Sequence, residues 1–204
     1  MKYLIYIPNG YTKDKKWPLV IWLHGPDYGR YLMDTTKKTS GLGGIIQGGR
    51  DYDALVLIPQ EVWTRDKIHL RFVKEEMIPK IVEEYNIDTN KISLSGHSLA
   101  AGHALNMAEM YPGFFSAITP LSLCKTVDPK PLLPSKIWIY HGNADTVCNQ
   151  KPGNKMVKDI TAAGGFCKFT VIRAEHSNTD DKAIYNYNTI EWMIKQTLGQ
   201  PVVE

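Results

Sequence analysis

KISLSGHSLAAGHAL, residues 91–105, is the stretch that decides how this chain folds. A short apolar run leads into a helical pattern at Ser98, and the residues two positions to either side, Gly96 and Ala100, are small. A strand that turns sharply into a helix holds its turning residue in a strained backbone conformation, which only small neighbours tolerate. The stretch therefore predicts a nucleophile elbow that lifts the Ser98 hydroxyl above the edge of a sheet.

The residue after this serine adds a second chemical group. Leu99 opens the predicted helix, so its backbone amide can point at a negative charge that develops on a substrate oxygen. The usual pattern of such an elbow is GxSxG, and Ala100 adds one methyl group where the last glycine would stand. The competing interpretation is a strand-to-helix junction that is rich in Gly and Ser but has no catalytic role, and the rest of the chain has to decide between the two.

Composition and charge indicate one globular unit. The chain has 204 residues, of which 43% are hydrophobic and 22% are charged. These are ordinary globular values and the length suits one core, so we expect a single domain over residues 1–204. The net charge is +3, with basic and acidic residues interspersed. A nucleic-acid partner is therefore not expected.

Apolar runs and cysteines indicate where in or outside the cell the protein is expected, and whether it meets a membrane. No apolar run approaches the roughly 20 residues that a membrane helix needs, and residues 1–8 are too short for a signal sequence, so no membrane partner is expected. Cys124, Cys148 and Cys167 are odd in number and lack CxxC spacing, which argues against a disulfide framework or a zinc site. We expect a reducing, cytoplasmic location, although a secreted protein whose leader had been removed would show the same pattern.

Strand-sized apolar runs alternate with helix-length amphipathic stretches. The predicted strands cover residues 3–7, 19–23, 54–58, 91–94, 115–119, 137–140 and 166–172, and the predicted helices cover 71–85, 99–110, 155–163 and 183–198. This order predicts an α/β fold with a mostly parallel sheet of about seven strands and helices on both faces. The first two strands are the exception, for which we consider antiparallel pairing with each other. Glycines at 41–49 predict a short or broken helix, and they lack the lysine and hydroxyl partner of a phosphate-binding loop.

Chemically active side chains follow several of these strands. Ligands bind at the carboxyl ends of the strands in an open parallel sheet, so residues there share one edge. A serine hydroxyl needs a histidine to remove its proton, and an acid to orient that histidine. Ser98, Asp145 and His176 follow three different strands in the chain order typical of a Ser-Asp-His triad. We predict that they form the catalytic site.

Other histidines and acids are rivals for these roles. We expect His97 to point away from Ser98 on the turn, and His69 to lie in a loop. Packing, capping or loop-holding roles are expected for the remaining histidines, His24, His103 and His141. Asp128 and Glu175 are the rival acids, but Asp145 has the better position at a strand end.

Six segments in order carry a resemblance to a known family. They are YIPNGY at 6–11, WPLVIWLHG at 17–25, IPQ at 58–60, GHS at 96–98, HGNADTV at 141–147 and EH at 175–176. On these segments the chain resembles the α/β-hydrolase superfamily, specifically small esterases such as dienelactone hydrolases, phospholipase/carboxylesterase-type enzymes and predicted peptidases. The resemblance implies Ser98 as nucleophile, Asp145 as orienting acid and His176 as base, with no cofactor and no metal. The short connection between 120 and 134 further predicts that this chain has no lid domain.

One departure from the family concerns the oxyanion hole. Related enzymes commonly take their second donor from the amide that follows His-Gly, but Pro26 has no N–H. We expect Leu99 to supply one amide and Gly25 or Asp27 to supply the other, with Tyr28 as a further alternative. Tyr28 and Trp63 are candidates to line the substrate site, although a buried packing role fits Trp63 equally well.

The predicted function is that of a serine hydrolase acting on small-molecule esters. An acyl-enzyme at Ser98 would serve small acyl groups, such as acetyl or aryl esters on carbohydrates, because no lid is expected over the site. A peptidase or thioesterase of the same fold is an alternative. A catalytically weak or inactive binding protein is another, suggested by Pro26 and Ala100. A homodimer is also considered, in which the sheet edge at 3–7 pairs with a second subunit.

Overall fold

The computed structural model describes residues 1–25, 41–60 and 67–204. Within them, seven strands form one sheet. The strands are β1 (Tyr3–Tyr6), β2 (Trp17–Leu23), β3 (Leu55–Pro59), β4 (Ile87–His97), β5 (Ala117–Leu121), β6 (Lys136–Gly142) and β7 (Cys167–Ile172). Their order across the sheet is β1-β3-β2-β4-β5-β6-β7, and six of the seven run parallel. The α/β fold predicted from the sequence is confirmed.

The prediction that the first two strands pair with each other is wrong. β1 pairs with β3 in antiparallel register, with Tyr3 opposite Pro59 and Tyr6 opposite Val56. β2 instead lies between β3 and β4. The burial of the two strands explains this, because β2 is almost entirely buried whereas every residue of β1 is half-buried. A strand that is apolar on both faces belongs inside the sheet, and a half-buried one suits its edge.

Helices cover both faces of the sheet. They are α1 (Gly41–Gln47), α2 (Ile68–Phe72), α3 (Ile78–Tyr85), α4 (Leu99–Met110), α5 (Lys151–Ala162), α6 (Thr179–Tyr187) and α7 (Thr189–Lys195). A π-helical turn, Val73–Met77, links α2 to α3, so the helix predicted at 71–85 begins three residues earlier. The helix predicted at 183–198 is broken at Asn188, whose φ of 50° is left-handed and ends α6. Among the described residues, α1 has the short length that its glycines predict.

The core consists of two layers separated by the sheet. Alternate β2 side chains enter opposite layers: Leu19, Ile21 and Leu23 face the layer of α3, α4 and α5. Val20 and Trp22 face the layer of α1, α6 and α7. This period of two fixes the register of β2, because a slip by one residue would exchange the two sets.

Two features of the topology prepare a site at the carboxyl edge. The chain passes from β2 to β3 on one side and later to β4 on the other, and such a reversal opens a crevice at the strand ends. The connection between β5 and β6 contains a single 3-10 turn, Lys130–Leu132, and no inserted domain. The absence of a lid predicted at this point in the chain is therefore observed.

Candidate active site

Ser98 occupies a sharp turn between β4 and α4. Its φ of 60° and ψ of −121° lie in a region that residues with a Cβ rarely adopt. A Cβ on Gly96 would come within 2.6 Å of the Ala100 carbonyl oxygen, so only glycine fits there. Ala100 itself is completely buried. The Ser98 amide donates to the Leu121 carbonyl at 2.8 Å, which fixes the turn to the end of β5.

Three side chains from separate strand ends meet at this turn. His176 Nε2 lies 2.8 Å from Ser98 Oγ, and His176 Nδ1 lies 2.8 Å from Asp145 Oδ2. Asp145 follows β6, and His176 opens a 3-10 turn after β7. The structure thus brings together the three residues that the sequence analysis singles out.

The hydrogen-bond chain has a direction. A carboxylate only accepts, so His176 Nδ1 carries the proton and donates it to Asp145. His176 Nε2 is then the unprotonated nitrogen and accepts from the Ser98 hydroxyl. This tautomer is the one in which the imidazole can take up the serine proton as Ser98 Oγ attacks.

The Asp145 carboxylate is buried and ionised. Burial by itself acts to raise the pKa of Asp145, but hydrogen bonds outweigh it and hold the pKa below the usual value for aspartate. The hydrogen bonds come from the Cys148 amide, from His176 Nδ1 and from the Val147 amide. A carboxylate kept charged in this way holds His176 in its donating tautomer.

Two of the predicted oxyanion donors, Leu99 and Gly25, lie in the described part of the chain. Leu99 opens α4, and the amides of the first helical turn have no carbonyl partner within their helix. Leu23 pairs with Gly96, so Gly25 lies beyond the same sheet edge as Ser98. The remaining predicted residues, Asp27, Tyr28 and Trp63, lie outside the described residues.

The other histidines and acids considered for the catalytic roles lie outside the hydrogen-bonded triad. His97 does not point away from the site as predicted, because its ring centroid lies 4.9 Å from that of His176. Burial, followed by the nearby His176, lowers the pKa of His97 to about 4, so this ring stays neutral at neutral pH. His69 lies in α2 rather than in a loop. Asp128 is exposed, and Glu175 caps the turn that starts at His176.

Comparison with known proteins identifies the family. Residues 1–161 match the family model described as "Putative esterase". The chain belongs to this esterase family. No curated protein matches the chain significantly.

Solved structures share the fold of this chain. A thermostable esterase is similar with a TM-score of 0.73 and 22% identity over 96% of this chain and 59% of that one. A ferulic acid esterase from the anaerobic fungus Anaeromyces mucronatus has a TM-score of 0.70 and 19% identity, over 97% of this chain and 84% of that one. S-formylglutathione hydrolase from Staphylococcus aureus has a TM-score of 0.71 and 13% identity, over 95% of this chain and 92% of that one. The chain spans about three fifths of the first structure, and all three show the α/β-hydrolase fold that the resemblance implies.

The prediction from the cysteines is wrong for this chain, because two of them are bonded. Cys124 and Cys148 form a disulfide, whereas Cys167 is free and buried. The odd number concealed the pair, because an odd count includes one free thiol whatever the other two do. The pairing depends on the folded sheet, since Cys124 and Cys148 follow β5 and β6, which are neighbours there.

Gly142 is a site-forming residue that the sequence analysis did not single out. It ends β6, and a Cβ there would come within 2.4 Å of the Ala174 carbonyl oxygen and 2.9 Å of Thr179 Oγ1. This close approach lets the loop that carries His176 pass beside the loop that carries Asp145. Glycine at the end of β6 is therefore a condition for their hydrogen bond.

We expect Gly142→Ala to lower kcat by about 100-fold, because the loop of His176 must move away from the added methyl group. The same overpacking should cost about 1–3 kcal/mol in the free energy of unfolding. Gly102→Ala is the matched control, since its Cβ would meet only the flexible end of Lys125 at 2.8 Å. Steady-state kinetics and urea unfolding of both variants test this, and a Gly142→Ala protein with parental kcat would contradict it.

The backbone strain at Ser98 predicts a stability difference between two variants that lack the Ser98 hydroxyl. The observed conformation costs a residue with a Cβ about 1–3 kcal/mol, and the greater freedom of glycine in the unfolded chain offsets about 0.4–1 kcal/mol of this. Ser98→Gly should therefore unfold with a free energy about 1 kcal/mol higher than Ser98→Ala. Urea denaturation of the two proteins measures the difference, and equal stability would show that the turn is not strained.

Proposed function

We propose that this esterase is a serine carboxylesterase that works through an acyl-enzyme at Ser98, with the chain folded as one domain over residues 1–204. The supporting observation is the continuous hydrogen-bond chain from Asp145 through His176 to Ser98, with both contacts at 2.8 Å. This series of hydrogen bonds ends at the Ser98 hydroxyl, which lies at the carboxyl edge of the sheet, where substrates of α/β folds bind.

The reaction follows from the protonation states. His176 Nε2 accepts the Ser98 proton while Ser98 Oγ attacks the ester carbonyl carbon. The Leu99 amide, with Gly25 as the proposed second donor, stabilises the negative oxygen of the tetrahedral intermediate. His176 then returns the proton to the leaving alcohol, and the acyl group stays on Ser98. Water, deprotonated by His176, attacks this ester and releases the acid and the free enzyme.

Acetyl or aryl esters on carbohydrates are the proposed substrates. The connection between β5 and β6 inserts no domain above the site, which suits acyl groups carried on a large alcohol. The similar structures include a ferulic acid esterase. We expect hydrolysis of p-nitrophenyl acetate and of methyl ferulate, measured at equal enzyme concentration.

A second candidate is a thioesterase, since one similar structure is an S-formylglutathione hydrolase. A kcat/KM for S-formylglutathione far above that for both oxygen esters would favour it.

A binding protein without turnover remains the competing function, because Pro26 removes the usual second oxyanion donor. A fluorophosphonate probe separates the two, since it reacts only with a serine that a base activates. Labelling at Ser98, located by peptide mass spectrometry, supports the hydrolase. A folded protein that stays unlabelled supports the binding function.

The disulfide bears on the compartment. Disulfides persist in oxidising environments and are rare in the reducing cytoplasm. With Cys124 and Cys148 bonded, the cysteine pattern no longer supports the cytoplasmic location that the sequence analysis expects, and we propose an oxidising compartment. In the described ranges 1–25, 41–60 and 67–204, no helix has the length and apolar character to cross a bilayer.

A further inference from the structure

Two sets of contacts hold the Asp145 carboxylate. Oδ1 accepts from the amides of Val147 and Cys148, both at 2.9 Å. Oδ2 accepts from His176 Nδ1 at 2.8 Å and lies 3.4 Å from His141 Nε2. The side chains of Asp145 and His141 are both fully buried. The acid therefore has a second imidazole beside it, in addition to the one that it orients.

Cys148 takes part in both sets. Its amide donates to Asp145 Oδ1, and its carbonyl lies 2.8 Å from His141 Nε2. A carbonyl only accepts, so His141 Nε2 carries a proton, and this N–H faces the Cys148 carbonyl and the Asp145 carboxylate together. The backbone of Cys148 thus sets the position of one oxygen of the acid directly and of the other through His141.

The disulfide anchors Cys148. Within the loop that carries the acid, Cys148 is buried with 5% exposure, whereas its neighbour Val147 is 70% exposed. Its partner Cys124 lies three residues after Leu121, whose carbonyl accepts the Ser98 amide. The disulfide therefore ties the loop of the acid to the strand end that fixes the backbone of the serine.

We propose that Cys148, held by the Cys124–Cys148 disulfide, and His141 are positioning residues for Asp145, so that turnover depends on this disulfide. The inference rests on the proposed serine-esterase mechanism. A disulfide that only stabilised the fold would change the free energy of unfolding and leave kcat of the folded protein unaltered. A positioning disulfide lowers kcat and leaves KM alone, because Asp145 acts on proton transfer and not on substrate binding.

The first test is a redox cycle on the whole chain. The kcat and KM for p-nitrophenyl acetate are measured for the oxidised, dithiothreitol-reduced and reoxidised protein, at a temperature where circular dichroism shows the reduced protein folded. Reduction should lower kcat by about 10- to 100-fold with KM unchanged, and reoxidation should restore kcat. Cys124→Ser should start with the low kcat and not respond to either treatment.

Cys167→Ser is the matched control. Cys167 is the free cysteine, buried in β7, and burial raises the pKa of its thiol to about 12, so it is a poor partner for thiol exchange. This variant should respond to the redox cycle as the parent does. A loss of response in Cys167→Ser would mean that a different cysteine pair carries the effect, and would overturn the proposal.

A second pair of variants does not depend on the stability of the reduced protein. His141→Leu removes the N–H beside Asp145 Oδ2, whereas His141→Gln places an amide N–H near the same point. His141→Leu should lose about tenfold in kcat with KM unchanged, and His141→Gln should keep most of the parental kcat. Equal kcat values for His141→Leu and the parent would overturn the role of His141.

Thiol titration separates the remaining outcomes. Three free thiols in the purified, unreduced protein, or an unaltered kcat after reduction to three free thiols, would overturn the inference while leaving the esterase function intact. An oxidised parent that hydrolyses no ester and takes no fluorophosphonate contradicts the proposed function, and this inference falls with it.

Discussion

Ser98→Ala is expected to lower kcat/KM for p-nitrophenyl acetate by about 10⁵- to 10⁶-fold, because it removes the oxygen on which the proposed acyl-enzyme forms. What activity remains should come from the oxyanion amides and from binding alone. The fold should persist, since alanine keeps the Cβ that the strained turn already accommodates and the amide still donates to Leu121. Stopped-flow and steady-state assays measure the loss, and circular dichroism confirms that the protein is folded.

Ser95→Ala is the control for this variant. Ser95 lies in the same strand, and its buried hydroxyl donates to the Thr119 carbonyl at 2.6 Å. Removing it should cost about 1 kcal/mol of stability without changing kcat. Adding His176→Ala to Ser98→Ala should cause little further loss, because residues that act as one unit are not additive. A Ser98→Ala protein that keeps parental turnover would refute the site.

Asp145→Asn is expected to lower kcat by about 10⁴-fold with a smaller effect on KM. The side-chain amide of the new asparagine can donate to His176 Nδ1, which would favour the tautomer with the proton on Nε2. That nitrogen then faces the Ser98 hydroxyl as a donor and can no longer accept its proton. Asp128→Asn, a change of the same kind at the exposed rival acid, should leave kcat unaltered. Parental kcat in Asp145→Asn would show that the contact has no catalytic role.

The same variant changes the dependence of stability on pH. The pKa of Asp145 is lower in the folded protein than in the unfolded chain, so its charged form stabilises the fold. This contribution is fully present above the ordinary aspartate pKa and is lost as the pH falls through the lower, folded pKa. The stability gap between parent and Asp145→Asn should therefore be constant at neutral pH and narrow on acidification below the ordinary value. A gap independent of pH would contradict the lowered pKa.

Much of the fold was readable from local patterns. The seven apolar runs predicted seven strands, and each lies within a few residues of its observed place, because burial between two helical layers requires continuous apolar sequence. The errors concern relations between distant segments. β1 pairs with β3 and not with β2, and the long final helix breaks at Asn188, where a left-handed φ leaves little trace in an amphipathic pattern.

The site shows the same division. Ser98, Asp145 and His176 follow strands, so their common edge could be expected from the sequence. The positions of His97 and His141 could not be expected, because the packing of several strands decides which side chains lie beside Asp145 and His176. The spacing of residues along one strand does not. The pairing of Cys124 with Cys148 likewise depends on β5 and β6 being neighbours.

The sequence by itself determined that a strained serine turn would stand at the end of a buried strand, because Gly96, Ser98 and Ala100 act on their own backbone through local steric contacts. Only the tertiary structure decided that His176 would reach both Ser98 and Asp145. That meeting requires β6 and β7 to pair and their following loops to pass within contact distance at Gly142. Contacts between segments far apart in the chain are set by the packing of the whole core, and no short stretch of sequence specifies them.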